Sequence, residues 1–318
     1  MNISHQKDNM DTRENQKFRL IAAPFTPFKE SGEINVDIIP LLASHYKRTG
    51  VSGAFVNGTT GEYASLTMDE RCELTEAWMD AGRDHDLEIM VHVGDNCLAN
   101  AMKLASHAYS CGADAISALA PSYFKPADID ALVDWTVAVA AEASECPFFY
   151  YHIPGLTGAH FSMSQYLERA GKRISNLQGI KYSDIQPMDT LRCLDLDSGG
   201  YEILFGCDEA LLTGLTLGAR GAVGSTYNFM APLYLKLIQA FEQGDLVNAR
   251  KMQTQSIRVV DRVVDQLAGT QFLSGAKTLM RLYGIDCGSV RNPLSPMSSV
   301  ESEAFLARMK THLAPLTQ

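Results

Sequence analysis

The chain has 318 residues, of which 46% are hydrophobic and 20% charged, with a formal net charge of −10. That composition excludes a mainly disordered chain and allows one large domain, or a domain with an appendage, to bury a sizeable core. The acidic balance and the lack of any Lys/Arg run exclude a dedicated nucleic-acid binder, which needs a basic stripe to displace counterions.

No run of about 18 apolar residues is present. Residues 1–16 read as a polar tail without an apolar signal core, so no membrane partner and a cytoplasmic location are expected. The first apolar run is Leu20 to Ala23, followed by a helical period through Ile38, Ile39, Leu42 and Tyr46 to Gly50. Further strand-like runs are Gly53 to Val56, Glu88 to Val93, Ala115 to Leu119, Phe148 to His152, Leu177 to Tyr182, Glu202 to Phe205 and Gly221 to Gly224. Helix-period segments lie between them, among them Asp69 to Ala81, Ala99 to Cys111, Ala127 to Ala143, Ser162 to Ala170 and Asp208 to Leu217. Eight such strands alternating with helices over roughly 230 residues predict an α/β fold of the closed (β/α)8 TIM-barrel type, which typically needs about 250 residues; an open doubly wound sheet is the alternative. The barrel is expected over 17–230. Beyond it, 231–318 reads as helices (Leu233 to Gln243, Leu246 to Leu267, Leu273 to Tyr283, Val300 to His312), an extension packed on the barrel because no flexible linker separates the two.

In such a barrel the loops after the strand C-termini converge on one mouth, so the residues ending each apolar run are the candidates for chemistry. After the second strand comes Asn57-Gly58-Thr59-Thr60-Gly61-Glu62, whose small residues and hydroxyls suit a carboxylate, or else form a glycine-rich turn with a threonine cap. The fifth strand ends in Tyr150-Tyr151-His152-Ile153-Pro154 and the sixth in Gly179-Ile180-Lys181-Tyr182-Ser183-Asp184. Lys181 stands out because it ends an apolar strand, where its head points into the barrel. Burial that brings an amine from about 10.4 to roughly 7–8 makes it a nucleophile able to form a Schiff base with a ketone. The alternative is an ion pair with Asp184 or Glu62. Asp208 and Glu209 follow the seventh strand, where they either favour a helix N-terminus or hold sugar hydroxyls. Ser225, with glycine carbonyls beside it, adds to a hydroxyl-binding surface after the eighth. His152, facing away from Tyr151, reads as a packed, hydrogen-bonded histidine, and Cys207 as a small packed residue.

Several other features point away from a bound group. The seven cysteines form no Cys-x-x-Cys pair and read as reduced thiols. The eight histidines include no His-Glu-x-x-His and no metal-ligand pair beside a carboxylate, so no metal is expected. Gly275-Ala276-Lys277-Thr278 lacks the glycine spacing and preceding strand of a phosphate loop and reads as helix, and Gly218 to Gly224 lacks a dinucleotide turn.

Taken together, Gly58 to Glu62, Tyr151-His152-Ile153-Pro154, Gly179-Ile180-Lys181 and Gly224-Ser225-Thr226-Tyr227-Asn228 resemble the N-acetylneuraminate lyase and dihydrodipicolinate synthase family. Phe25-Thr26-Pro27-Phe28 and the helical tail are similar to that family as well. The resemblance implies a pyruvate-type Schiff-base aldolase with no added cofactor, small-molecule substrates and commonly a homotetramer. It implies Lys181 as the Schiff-base residue, Tyr151 as proton shuttle, and Thr59 and Thr60 on the substrate carboxylate. Ser183, Gly206, Asp208, Glu209, Gly224 and Ser225 are implied on the sugar side, and Tyr123 as a candidate relay at a subunit interface. Leu156 stands where the synthases carry an arginine, while Tyr151 to Gly158, Gly206 to Glu209 and Gly224 to Asn228 are similar to the sialic-acid-cleaving branch. A smaller 2-oxo-3-deoxy sugar acid as substrate, a synthase activity, or a pyruvate-binding regulator are the alternatives.

Overall fold

The computed structural model describes residues 17–267 and 272–313, so the expected polar tail at 1–16 lies outside the described residues. Eight parallel strands follow one another around a closed barrel in chain order. The first half comprises β1 (Arg19–Ala22), α1 (Ile39–Thr49), β2 (Gly53–Val56), α2 (Met68–His85), β3 (Glu88–His92), α3 (Leu98–Ser110), β4 (Ala115–Leu119) and α4 (Ile129–Ala141). The second half comprises β5 (Phe148–His152), the single turn α5 (Pro154–Thr157), α6 (Met163–Ala170), β6 (Leu177–Tyr182), α7 (Pro187–Asp195), β7 (Glu202–Phe205), α8 (Leu211–Leu217) and β8 (Gly221–Gly224). Pairing of β1 with β8, from Arg19 opposite Gly221 to Ala22 opposite Gly224, closes the ring and excludes the open sheet. After β8 come α9 (Tyr227–Glu242), α10 (Leu246–Leu267), α11 (Phe272–Leu279) and α12 (Ser299–Leu313).

The period of two along each strand divides the core. On β5, Phe148 and Tyr150 face the helices, while Phe149 and Tyr151 face the barrel axis with Ile21, Phe55, Met90, Leu119, Leu204 and Val223. At the base of the barrel Arg19 reaches across to Glu88 on β3, with Nε 3.0 Å from Oε2, and to Glu202 on β7. Close approach of the β7 backbone to β6 at this level requires a residue without a side chain. A Cβ on Gly179 would fall 1.8 Å from the Glu202 carbonyl oxygen.

The expected boundary at residue 230 falls inside α9, which begins three residues after the end of β8 and serves as the eighth barrel helix, packing on β1. Pro232 sits within α9 and has no N–H to give the carbonyl of Asn228, one turn earlier. His45 of α1 takes that place, its Nε2 lying 2.9 Å from the Asn228 oxygen while Arg48 approaches Nδ1 at 3.2 Å. A neutral imidazole protonated on Nε2 meets both partners, and burial, the largest influence, lowers the His45 pKa accordingly.

The C-terminal extension also holds α2. Thr67 caps that helix, its hydroxyl accepting from the Glu70 N–H at 3.2 Å while the Glu70 carboxylate accepts from the Thr67 N–H at 2.9 Å. Glu70 in turn receives Arg291. Thr67→Ala should therefore lower stability by about 1 kcal/mol, read as a lower urea midpoint with unchanged slope; an unchanged midpoint would show that Arg291 alone holds the turn.

Candidate active site

Lys181 ends β6 with its side chain in the barrel, level with Tyr151 on β5 and Leu204 on β7. It is 4% exposed. Its Nζ lies 3.8 Å from the ring centroids of both Phe55 and Tyr151. Among the described residues it forms no ion pair, because Glu62, one of the two partners weighed for it, is taken by Lys277 at 3.0 Å. Burial among aromatic faces brings the amine down to about 7, opposed by the charge of Asp208. At neutral pH a large fraction of this lysine is therefore the free amine.

Tyr151 faces the same space, and its hydroxyl lies 3.2 Å from Thr59 Oγ1. Burial pushes its pKa up to about 12, against the pull of hydrogen bonds to Thr59 and Ser183. The loop carrying Thr59 and Thr60 is held from several sides. Asn57 adopts a left-handed backbone, φ 57°, and its amide reaches the Arg71 carbonyl at 3.0 Å and the Thr75 hydroxyl at 3.1 Å. Thr26 donates to the Gly61 carbonyl at 2.6 Å. Glu62, which ends the motif, accepts from Lys277 of α11 and, at 2.8 Å, from the Arg291 N–H. The helical extension thus fastens the back of the loop, and Gly275 to Thr278 is helix, as its spacing predicts.

On the far side of the mouth, Gly206 lets Ser183 approach, since a Cβ there would fall 2.1 Å from the serine hydroxyl. Gly224 does the same for Asp208, whose Cγ would lie 2.8 Å from such a Cβ. Asp208 is buried, and its Oδ2 accepts from the Thr226 N–H at 2.8 Å and from the Thr226 hydroxyl at 2.5 Å. This carboxylate therefore anchors the loop after β8 as well as facing Lys181, a duty the sequence did not disclose. Glu209 beside it is exposed, and its pKa is raised, first by the Asp208 charge. Ser225 and Thr60 are half-buried in their loops. Asn228 binds the Ala23 and Ser225 carbonyls at 2.7 Å each and receives the Tyr46 hydroxyl, stitching β8 to β1 and α1.

Tyr123 is not brought to this cluster. It is 79% exposed, stacked edge-on against Phe124, itself 84% exposed. His152 is buried as expected, and among the described residues its Nδ1 has no hydrogen-bond partner. Burial lowers its pKa to about 4, and it lines a polar cavity of about 280 Å³ with Tyr182, Asp184 and Asp189. Cys207 is half-buried, its thiol pushed up to about 12, and all seven cysteines are free.

Two buried residues near the site carried no mark in the sequence reading. His92 ends β3 fully buried, Nδ1 2.8 Å from the Asn57 carbonyl, its ring edge-on to Tyr63 and Tyr151. Burial and the Arg71 charge hold it well below the usual histidine range, so it is neutral. Arg71, on α2, caps the His92 and Gly94 carbonyls at 2.8 and 3.0 Å, and burial lowers its pKa to about 10. A polar residue closing an apolar strand, the feature that marks Lys181, would have found His92. No such signal marks Arg71 among the many polar residues of its helix.

Residues 16–312 match the model of the dihydrodipicolinate synthetase family. The chain belongs to that family. Among its relatives, N-acetylneuraminate lyase of Rattus norvegicus is 39% identical over 295 residues, 92% of this chain and 91% of that one. Among solved structures, N-acetylneuraminate lyase of Proteus mirabilis superposes with a TM-score of 0.88 at 38% identity, covering 94% of this chain and 99% of the other. The N-acetylneuraminate lyase (sialic acid aldolase) of Aliivibrio salmonicida has a TM-score of 0.88 at 36% identity, covering 94% and 97% of the two chains. The motifs named from the sequence occupy the mouth of this family member's barrel.

Proposed function

We propose that this chain is a class I aldolase that cleaves N-acetylneuraminate reversibly to N-acetylmannosamine and pyruvate through a Schiff base on Lys181. The observation that carries the reading is a buried lysine without a carboxylate ion pair among the described residues, its amine near neutrality, beside a tyrosine hydroxyl linked to a threonine. The names of the relatives support the substrate. So does Leu156, which stands exposed on α5 where the synthases carry an arginine.

In this reading the Lys181 amine attacks the C2 ketone of the open-chain sugar acid, and loss of water leaves an iminium. The C4 hydroxyl proton departs, the C3–C4 electron pair moves to the iminium, and N-acetylmannosamine leaves as the aldehyde. The enamine then takes a proton at C3, and water releases pyruvate and the lysine. Tyr151, held as a neutral phenol by its raised pKa, accepts the C4 proton only as it passes its own onward. Thr59 is the adjacent carrier, and the substrate carboxylate it holds takes the proton until the enamine receives one at C3. Thr59 and Thr60 hold the substrate carboxylate, with Ser183, Gly206, Asp208, Glu209, Gly224 and Ser225 on the polyol side. The iminium formed on Lys181 is the electron sink, so no further cofactor is called for. We place the enzyme in the cytoplasm as a homotetramer with Tyr123 at a subunit contact; among the described residues no helix is long and apolar enough to cross a membrane.

Borohydride reduction in the presence of pyruvate tests the chemistry, with the mass increase expected on Lys181; turnover compared between N-acetylneuraminate and a six-carbon 2-oxo-3-deoxy acid tests the substrate. Faster cleavage of the shorter acid would replace the sialic-acid reading. Tyr151→Phe keeps the ring packing and loses only the hydroxyl, so cleavage should slow by about 10²–10⁴-fold. Near-normal turnover in that variant would take Tyr151 out of proton transfer.

A further inference from the structure

Outside the barrel, α2 and α3 bring three different donors around one point. His107 lies near the end of α3 and Cys111 is its C-cap, one turn further on, so the two share a face. Glu76 on α2 lies opposite. Its Oε1 is 3.0 Å from His107 Nε2, and Cys111 Sγ is 3.7 Å from that same nitrogen. The three donor atoms lie within 4.8 Å of one another. In a tetrahedral zinc site, bonds of about 2.0–2.2 Å to nitrogen and oxygen and about 2.3 Å to sulfur separate N from O by roughly 3.3 Å and N from S by roughly 3.5 Å. The N–O and N–S gaps here are within a few tenths of an ångström of that geometry, and because Sγ also lies 3.8 Å from Nδ1, the imidazole has to turn for Nε2 to face an ion shared with the thiolate.

The mixture of ligands bears on which ion fits. An ordinary surface ion pair accounts for Glu76 and His107 but not for a half-buried thiol directed at the same ring. Thiolate, imidazole and carboxylate together suit borderline-soft Zn²⁺ and not Mg²⁺ or Ca²⁺, which take oxygen ligands. The Glu76 side chain is 62% exposed and that of His107 27%, which leaves the fourth position open to water. Cys72, one turn before Glu76 on α2, is half-buried and near enough to sense both Glu76 and Cys111, but it stands outside the three-atom cluster. Sequence spacing could not show this site, because the carboxylate is 31 residues from the histidine and only the packing of adjacent helices joins them.

We propose that Glu76, His107 and Cys111 form a Zn²⁺ site on the outer surface of the barrel, with water as the fourth ligand, which clamps α2 to α3 apart from the Lys181 pocket. Coordination displaces the thiol proton to solvent and leaves the imidazole neutral, bound through Nε2.

Untagged full-length protein, stripped of metal and reduced, is titrated with Co²⁺ as a spectroscopic probe and then with Zn²⁺ against a chromophoric chelator. One equivalent is expected, with a thiolate-to-cobalt charge-transfer band that Zn²⁺ abolishes, and an apparent melting temperature that rises with Zn²⁺. Cys111→Ser should remove the band, and Glu76→Gln, His107→Gln and Cys111→Ser should each weaken Zn²⁺ binding by more than about tenfold. Cys72→Ser should leave the band in place. Pyruvate trapping at Lys181 in all four variants shows that they are folded. Zn²⁺ affinity unchanged in folded Cys111→Ser, or a band that persists there and vanishes in Cys72→Ser, would overturn the proposal.

Discussion

Lys181→Met is expected to abolish the borohydride-trapped pyruvate adduct and, at the same time, to make the protein harder to unfold. The native pKa of the amine is about 7 and the usual value 10.5. Between these values the unfolded chain binds a proton that the native chain does not, so native stability rises with pH across that window. The burden of the buried amine is greatest at and below pH 7. Methionine of similar length carries no charge to desolvate, so the variant should gain on the order of a few kcal/mol at pH 7, shrinking towards the upper end of the window. Thermal melts of both proteins at pH 7 and pH 10 measure this, and mass spectrometry after trapping measures the chemistry. An adduct at wild-type level would transfer the nucleophile to another lysine. The same pKa predicts that kcat/KM of the parent enzyme rises with pH through about 7, because the free amine attacks and the ammonium does not.

Lys277→Met should cost about 3–5 kcal/mol, since it strands the Glu62 carboxylate in a site where both side chains are 1% exposed. Urea denaturation reads the loss. Glu62→Gln should cost a comparable amount, and the double variant less than the sum, because no charge is then left without its partner. A cycle with no coupling would show that each charge is satisfied independently by the carbonyl and N–H groups of Ser289 and Arg291. The pair also fixes the loop of Thr59 and Thr60, so both single variants should raise the KM for pyruvate more than they lower the yield of trapped adduct at saturation.

The barrel was legible because buried parallel strands are short apolar runs and this chain separates them with helix-length segments. Gly53 to Val56, Phe148 to His152 and Gly221 to Gly224 have the limits read from the sequence. Helix ends were less legible. The turn Pro154–Thr157 and the helix Pro187–Asp195 went unnamed; the first is too short to show a period, and the second buries only Thr190 and Cys193. The helix read from Leu233 begins at Tyr227, and the contact that lets it run through Pro232 comes from another helix, where His45 satisfies the carbonyl that the proline leaves without a donor. At the mouth, residues one step from a strand end were found by position. The contacts that set their behaviour join distant parts of the chain: Glu62 to Lys277, Asp208 to Thr226, Arg71 to His92. No local spacing encodes these.

The ring of charge that Arg19 makes with Glu88 and Glu202 gives the barrel a direction. Phe55, Met90, Phe149 and Leu204 fill the interior above that floor, so among the described residues the route to Lys181 is from the mouth. Under the proposed reaction, the three-carbon fragment attached to Lys181 lies beneath the amino sugar. The two products cannot then depart in either order: the sugar has to clear the mouth before the shorter fragment is freed. Product inhibition should follow that queue, with pyruvate competitive against the sugar acid because both seek the empty lysine, and N-acetylmannosamine noncompetitive because it rebinds to the enamine form.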